Sequence, residues 1–250
     1  MKAMILAAGL GTRLKPITDN IPKALVEVEG MPILERQINK LKSHGFDEII
    51  INIHHFSEKI KSWISENNFG VRIKISDESE QLLDTGGGIN NAYDLIFENN
   101  NDPILIHNVD ILSNLNPRQF MELHEKSGND ATLLVSQRDS SRKLIFDENM
   151  NLRGWHDLKN DKYLPDNFMP TLSYSEYPFS GIYIMSKTAI SEMKSMSYDA
   201  KFSVINYFLD KNRKSNIKGL YQEELELLDI GKPASLAQAS NFFQKLNNSY

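Results

Sequence analysis

The chain has 250 residues, a formal net charge of -5 and no cysteine. This length suits one large α/β domain with a sizeable core. The acidic balance argues against a nucleic-acid groove, which usually carries a basic face, and the lack of cysteine excludes disulfides and thiolate metal sites. No apolar run approaches the roughly 20 residues of a membrane span, and no signal-peptide pattern is present. We expect a cytoplasmic protein that binds neither nucleic acid nor membrane; its oligomeric state stays open.

Short apolar runs alternate with segments of helical period over residues 1–137, which is typical of a mostly parallel sheet covered by helices. Strands are predicted at Lys2 to Ala7, Glu48 to His54, Val71 to Ile75, Ile104 to Asn108 and Ala131 to Ser136. Helices are predicted at Pro32 to Ser43, Ser57 to Asn67, Ile89 to Ile96 and Pro117 to Lys126. The expected fold class is α/β: a Rossmann-like mixed, mostly parallel sheet flanked by helices, in a single domain.

The alternation of short apolar runs and helical segments becomes less regular after Gln137. Two short runs separated by Glu148 to Asn151 predict a hairpin. A polar, proline-bearing stretch follows and is interpreted as an excursion over the ligand. The predicted elements are a hairpin (Lys143 to Asp147 and Leu152 to Trp155), the excursion (Asn160 to Pro178), strands at Phe179 to Met185, Ile217 to Leu220 and Leu225 to Asp229, and helices at Ser203 to Lys211 and Pro233 to Leu246.

The most informative stretch is the turn that follows the first strand. Gly9 and Gly11 have no Cβ, so the backbone there can approach a ligand and present several N–H groups to phosphate oxygens. Arg13 and Lys23 add two cations along the same loop. Leu14 stands where a dinucleotide fingerprint needs its third glycine, and a Walker loop would need Gly-Lys-Ser/Thr. The turn therefore predicts an anion site of a different kind, and a hydride-transfer enzyme is disfavoured.

Gly9-x-Gly11-x-Arg13 followed by Pro22-Lys23 resembles the signature of the sugar-1-phosphate nucleotidyltransferases. The segment Leu83 to Ile89, with three consecutive glycines, is most similar to the N-acetylmuramate 1-phosphate uridylyltransferases, and mannose 1-phosphate guanylyltransferases have a similar loop. The resemblance implies a glycine loop, placed before a helix, that lies against base and ribose. It implies these nucleotide-binding residues: Leu6, Ala8, Gly9, Gly11, Thr12, Arg13, Lys23, Gln81, Gly86 and Gly87.

Two aspartates are implied as ligands of a Mg²⁺ cofactor. Asp110 follows the strand that ends at Asn108, and Asp229 precedes a glycine turn and a helix. Ligands of open α/β sheets bind where the carboxyl ends of the strands meet. Two carboxylates can fix Mg²⁺ and leave positions for phosphate oxygens. A turn aspartate and a helix cap are the alternative interpretations of these residues.

The sugar-binding residues implied are Asn108, Arg142 and Gly181. Many relatives carry a lysine between a glutamate and a proline that is absent here; Arg142, Lys143, Lys159 and Lys162 are the candidates for its charge, with Arg142 preferred. The resemblance divides the chain into a nucleotide-binding half (1–137), a sugar-binding half (138–228) and a closing helix (229–250). We expect neither the β-helix nor the second domain that many relatives carry after the catalytic one.

The implied reaction joins a nucleoside triphosphate to a sugar 1-phosphate, and UTP with N-acetylmuramate 1-phosphate is the first choice of substrates. A mannose or heptose 1-phosphate guanylyltransferase is the alternative. An inactive nucleotide-sugar sensor is another alternative. Such a protein should have lost one of its catalytic or metal-binding residues, whereas this chain retains Arg13, Lys23, Asp110 and Asp229. Arg13 and Lys23 are the expected catalytic residues: Arg13 would bind the leaving pyrophosphate, and Lys23 would neutralise the reacting phosphates.

Lys23→Ala should lower turnover by orders of magnitude while the fold persists. One charged group directed at the reacting phosphates stabilises such a transition state by roughly 3–4 kcal/mol. Pyrophosphate release by the purified variant measures the effect. Near-normal turnover would refute the role of Lys23.

Overall fold

The structure is a computed structural model that describes residues 1–166, 168–169 and 173–247. Its strands are β1 (Lys2–Leu6), β2 (Glu27–Val28), β3 (Met31–Pro32), β4 (Glu48–Ile53), β5 (Arg72–Asp77), β6 (Ile104–Asn108), β7 (Ile111–Ser113), β8 (Ala131–Val135), β9 (Arg142–Phe146), β10 (Leu152–Asp157), β11 (Lys162–Leu164), β12 (Ser175–Tyr177), β13 (Phe179–Met185), β14 (Ile217–Tyr221) and β15 (Leu227–Asp229). Its α-helices are α1 (Ile33–Ser43), α2 (Ser57–Glu66), α3 (Asp84–Asn91), α4 (Tyr93–Phe97), α5 (Pro117–Ser127), α6 (Lys187–Ser195), α7 (Val204–Phe208) and α8 (Pro233–Asn247).

The largest sheet has seven strands in the order β14-β8-β13-β6-β1-β4-β5. Strand β13 runs antiparallel to both of its neighbours, and the other pairs are parallel. The mixed, mostly parallel sheet expected from the sequence is thereby confirmed.

Helices cover both faces of this sheet because its strands are apolar on both sides. In β1, Ala3 and Ile5 belong to the apolar cluster that includes Ile33 of α1, whereas Met4 belongs to the cluster that includes Ile89 of α3. These β1 side chains are fully buried. No described helix combines the length and the apolar character needed to cross a membrane.

Two smaller sheets differ from the sequence interpretation. The predicted hairpin is present as β9 and β10, and it belongs to a separate four-stranded sheet with β11 and β12. Strand β15 does not complete the main sheet as predicted; it pairs antiparallel with β7, with Asp229 opposite Ile111. The strands β2, β3, β7, β11 and β12 and the helix α6 were not predicted from the sequence. A three-residue strand such as β7 is too short to show a clear period.

The prediction for the three consecutive glycines is also wrong. They do not precede a helix: Gly86, Gly87 and Gly88 lie buried inside α3, which begins at Asp84. The segment before α7 crosses this helix, and the carbonyl oxygen of Phe202 accepts hydrogen bonds from the Gly86 and Gly87 N–H groups at 2.9 and 3.3 Å. A Cβ at Gly86 would overlap the Phe202 ring, and one at Gly87 would overlap the Ala200 carbonyl oxygen. Close packing therefore explains these glycines: a Cβ would meet the Phe202 ring at Gly86, backbone at Gly87, and the Glu78 and Asn52 side chains at Gly88.

The predicted excursion from Asn160 to Pro178 contains β11 and β12, and residues 167 and 170–172 of it lie outside the described residues. Residues 248–250 of the predicted closing helix also lie outside them. The division of the chain into two halves and a closing helix stays a prediction.

Gly87→Ala should lower the free energy of unfolding by about 1–3 kcal/mol, the range for overpacking a tight interior, despite the better helix propensity of alanine. Denaturant unfolding measures this change. Gly9→Ala is the matched control, because a Cβ at Gly9 would have no atom within 4 Å. Equal stability of the two variants would contradict the packing explanation.

Candidate active site

The site lies at the carboxyl edge of the main sheet, around the end of β1. Leu6 is paired in register with Asn52 of β4 on one side and with Asn108 of β6 on the other. The Val109 N–H donates to the Leu6 carbonyl oxygen at 3.1 Å, so the chain after β6 stays beside the turn after β1. Three strand ends therefore form one crevice, where open α/β sheets bind ligands.

The glycine turn is held by hydrogen bonds to one carbonyl group. The Gly11 oxygen accepts from the Leu14 N–H at 2.9 Å and from the Thr18 hydroxyl at 2.8 Å. Gly11 has φ +67°, and a Cβ there would lie 3.0 Å from the Thr18 methyl group and 3.2 Å from Lys23 Cβ. Gly11 thus lets the turn close onto the loop that carries Lys23.

A buried polar network connects the start of this turn to the segment before α3. Asn52 Oδ1 accepts from the Ala7 N–H at 2.7 Å, and Asn52 Nδ2 donates to Glu78 Oε1 at 2.8 Å. Glu78 Oε2 accepts from the Leu83 N–H at 3.2 Å. Burial raises the pKa of Glu78, and these two hydrogen bonds to its carboxylate oppose the shift. The sequence analysis missed this network; an asparagine in an otherwise apolar predicted strand was the available signal.

The four charged residues singled out from the sequence come together at this edge. Lys23 Nζ forms an ion pair with Asp110, and both side chains are nearly buried. Arg13 Nη2 lies 4.0 Å from Asp229 Oδ2. The Ile230 N–H donates to the Asp110 carbonyl oxygen at 3.0 Å, so the two aspartates belong to adjacent backbone segments.

Gly231 marks the point where these groups meet. A Cβ at this position would lie 2.5 Å from Arg13 Nη2, 2.8 Å from Asp229 Oδ1 and 3.1 Å from Lys23 Nζ. The Gly231 N–H itself donates to Asp229 Oδ1 at 2.8 Å and orients that carboxylate. The sequence analysis did not assign Gly231 to the site, although the Asp-x-Gly spacing was noted.

The donor set at this point fits Mg²⁺. Carboxylate oxygens are the ligands that Mg²⁺ prefers, and it usually takes one or two of them and completes its shell with water and phosphate oxygens. Across the residues that the structure describes, no three His, Cys, Asp or Glu side chains cluster as a metal site. Asp110 and Asp229 are the residues that could hold the ion, and Lys23 and Arg13 balance their charges in the structure.

A pocket of about 380 Å³ opens beside the turn. Six of the residues expected at the site line it: Leu6, Ala8, Gly9, Lys23, Asn108 and Asp110. Asn52, Asp84, Thr85 and Lys201 also line it and were missed. Thr12 and Gln81 are exposed and Gly11 is partly exposed, and none of the three belongs to this lining. Gly86 and Gly87 are buried against Phe202 and Ala200, so the structure does not bring them to the pocket.

A second, larger cavity of about 1130 Å³ is lined by three further expected residues, Arg13, Asp229 and Arg142. Arg142 lies at its rim, with a side chain 71% exposed and Nε 4.0 Å from Asp157. Gly181 has φ +78° and adjoins Asn108, whose Nδ2 would lie 2.5 Å from a Cβ at Gly181. Asn108 and Gly181 are therefore neighbours, whereas Arg142 reaches the cavity from another sheet.

A mostly parallel sheet whose carboxyl edge carries a glycine turn, paired cations and paired carboxylates defines the class of Rossmann-like proteins with a site for phosphorylated ligands. Residues 2–146 match the nucleotidyl transferase family, and the chain belongs to that family.

Curated relatives match only part of the chain. It is 32% identical over 144 residues to mannose-1-phosphate guanylyltransferase 1 of Arabidopsis thaliana, covering 57% of this chain and 40% of that protein. It is 39% identical over 111 residues to N-acetylmuramate alpha-1-phosphate uridylyltransferase of Caulobacter vibrioides, covering 43% of this chain and 45% of that protein. The chain thus spans less than half the length of these relatives.

Solved structures match almost the whole chain and support the fold. HddC from Yersinia pseudotuberculosis has a TM-score of 0.75 at 24% identity, covering 97% of this chain and 99% of that one. UDP-glucose pyrophosphorylase complexed with UDP-glucose has a TM-score of 0.76 at 17% identity, covering 98% of both chains.

The Lys23–Asp110 pair adds a condition to the Lys23→Ala experiment. Removing one partner of a nearly buried ion pair leaves the other charge uncompensated, which destabilises a protein. The loss of turnover should therefore be measured together with the unfolding midpoint, so that lost activity is separated from lost fold.

Gly231→Ala should lower turnover on the order of a hundredfold and leave the unfolding midpoint nearly unchanged. The added methyl group would displace the mobile ends of Arg13, Lys23 and Asp229, and small misplacements of catalytic groups cost about this much. Pyrophosphate release and thermal unfolding measure the two effects. Gly87→Ala is the matched comparison, because there the methyl group meets backbone and stability should fall. Full turnover by Gly231→Ala would contradict the conclusion that Arg13, Lys23 and Asp229 act together at this point.

Proposed function

We propose that the protein transfers a nucleoside monophosphate from a nucleoside triphosphate to a sugar 1-phosphate, forming a nucleoside diphosphate sugar and pyrophosphate. An oxygen of the sugar phosphate attacks the α-phosphorus, and the bond from that phosphorus to the bridging oxygen of the leaving pyrophosphate breaks. The attacking group is already an anion, so the step needs no general base. The observation that carries the proposal is the convergence of Arg13, Lys23, Asp110 and Asp229 near Gly231.

The proposed roles follow from position and charge. The turn from Ala8 to Arg13 binds the triphosphate through backbone N–H groups, and Arg13 binds the departing pyrophosphate. Lys23 lines the pocket beside its ion-pair partner Asp110 and neutralises charge that develops on the reacting phosphates. Asp110 and Asp229 would hold Mg²⁺, which would supply further charge neutralisation at the α-phosphate. Catalysis then consists of positioning and electrostatic stabilisation.

The proposed nucleotide pocket is the smaller one. Its lining includes Leu6 and Asn52 at the end of the sheet, together with Asp84, Thr85 and Lys201. We keep Gly11, Thr12 and Gln81 as proposed nucleotide contacts at its margin. For Gly86 and Gly87 the proposed contribution is indirect, because they fix the helix that carries Thr85. The reaction consumes a nucleoside triphosphate, which agrees with the cytoplasmic location expected from the sequence.

For the second substrate we propose N-acetylmuramate 1-phosphate, with UTP as the donor. The described lining of the larger cavity includes six cationic side chains and three carboxylates: Arg13, Arg138, Arg142, Lys143, Lys159 and Lys232 against Asp139, Asp157 and Asp229. This excess of positive charge suits a sugar phosphate that carries a further carboxylate. The uridylyltransferase of Caulobacter vibrioides, named for this substrate, is among the relatives. Asn108, Gly181 and Arg142 are the proposed sugar contacts.

A guanylyltransferase for mannose or heptose 1-phosphate is the second candidate. The relative from Arabidopsis thaliana that is named for mannose 1-phosphate matches a longer part of this chain, 144 residues, than the uridylyltransferase does. Mannose lacks the extra carboxylate, so the two candidates differ in the charge of the sugar.

A matrix of four nucleoside triphosphates against several sugar 1-phosphates, monitored for pyrophosphate, tests the proposal. We expect the fastest release with UTP and N-acetylmuramate 1-phosphate, and slower release with N-acetylglucosamine 1-phosphate, which lacks the acidic substituent. Faster release with GTP and mannose 1-phosphate would select the second candidate.

Two controls complete this experiment. Chelation of divalent ions should abolish release, and Asp229→Asn should raise the Mg²⁺ concentration needed for half-maximal rate because one anionic ligand is lost. Binding of a triphosphate without release from any pair would favour the inactive sensor.

A further inference from the structure

Arg138 is the cation of the larger cavity that the sequence analysis did not single out. It follows β8 and lies partly buried beside the start of β13. Its Nη2 donates to the Phe179 carbonyl oxygen at 2.8 Å. Its Nε is buried and has no hydrogen-bond partner among the described residues. An arginine has five N–H donors. This guanidinium is oriented by one neutral acceptor, so it has further N–H groups that could donate to a ligand.

Arg138 lines the larger cavity together with Arg13 and Asp229. Burial lowers the pKa of Arg138, and the negative charge of Asp229 opposes that shift, so the guanidinium lies within electrostatic range of the proposed metal ligand. Phe179, which orients it, is two residues before Gly181, the neighbour of Asn108. Arg138 thus shares the larger cavity with Asp229 and is hydrogen-bonded to the strand that carries Gly181.

Two cations at the start of β9, which also line the cavity, have acidic partners of their own. Arg142 lies 4.0 Å from Asp157, and Lys143 Nζ lies 4.0 Å from Glu176 Oε2. A cation whose charge is already balanced gains less from a bound phosphate than one oriented by a carbonyl group. A partly buried arginine also forms stronger, two-pronged hydrogen bonds to phosphate than an exposed lysine does.

We propose that Arg138 binds the phosphate of the sugar 1-phosphate and supplies the charge that a lysine between glutamate and proline provides in many relatives. This inference rests on the proposed function. It gives Arg138 a general role for all sugar 1-phosphates and leaves discrimination among sugars to Asn108, Gly181 and Arg142. Binding would give the guanidinium an anionic acceptor and hold the attacking oxygen near the α-phosphorus.

Arg138→Gln and Arg138→Lys test the assignment, and both retain an N–H donor for the Phe179 carbonyl group. With the best substrate pair of the wild type, Arg138→Gln should raise KM for the sugar 1-phosphate about tenfold to a hundredfold, as expected for a lost charged hydrogen-bonding partner. Arg138→Lys should recover part of this loss. Equilibrium binding of the triphosphate alone should be unchanged in both. The loss should be of similar size for N-acetylmuramate and N-acetylglucosamine 1-phosphates.

Arg118→Gln is the matched control, because it removes an arginine that is 63% exposed on α5 and paired with Glu122. It should leave both KM values unchanged. Unchanged KM for the sugar phosphate in Arg138→Gln would overturn the inference while the proposed function stands, and a lowered unfolding midpoint with unchanged KM would reduce Arg138 to a structural role. If the wild type releases pyrophosphate from no pair, the proposed function fails and the inference fails with it.

Discussion

The site depends on one backbone pairing, that of β15 with β7 outside the main sheet. Asp110 lies at the end of β6 and Asp229 more than a hundred residues later, and without this pairing no local force would bring them together. The register that sets Asp229 opposite Ile111, with the Ile230 N–H bonded to the Asp110 carbonyl oxygen, fixes both carboxylates beside the glycine turn. Each acid then has a cationic neighbour, so the cluster persists at low cost in electrostatic repulsion.

The two cavities meet at this charged cluster. The smaller one is built on the ends of β1, β4 and β6, whose register is set by the buried parallel core. The larger one is enclosed partly by the separate antiparallel sheet of β9 to β12. This arrangement suits the proposed reaction between two phosphorylated substrates, because each substrate would have its own cavity while the reacting phosphates share the cations between them. The absence of a side chain at Gly231 leaves the space in which those cations approach Asp229.

Glycines serve three different purposes in this chain, and the sequence does not distinguish them. Gly11 supplies a positive φ that closes the glycine turn after β1, and Gly231 supplies space among charged side chains. Gly86 and Gly87 allow a neighbouring segment to cross a helix at backbone contact, although their spacing resembles a ligand-binding loop. An absent Cβ looks identical in each case, and only the identity of the nearest atoms reveals which constraint applies.

The sequence alone determined the alternating α/β order, the central strand, the turn from Gly9 to Arg13 and the two strand-end aspartates. Each of these depends on local properties: apolar period, glycine conformation and the position of a charge after a strand. Tertiary structure decided the pairing of β15 with β7, the packing of Gly87 against Ala200, the Asn52–Glu78 network and the orientation of Arg138 by Phe179. These contacts join segments far apart in the chain, and such encounters are selected by the packing of the whole molecule and leave no periodic signal in either segment.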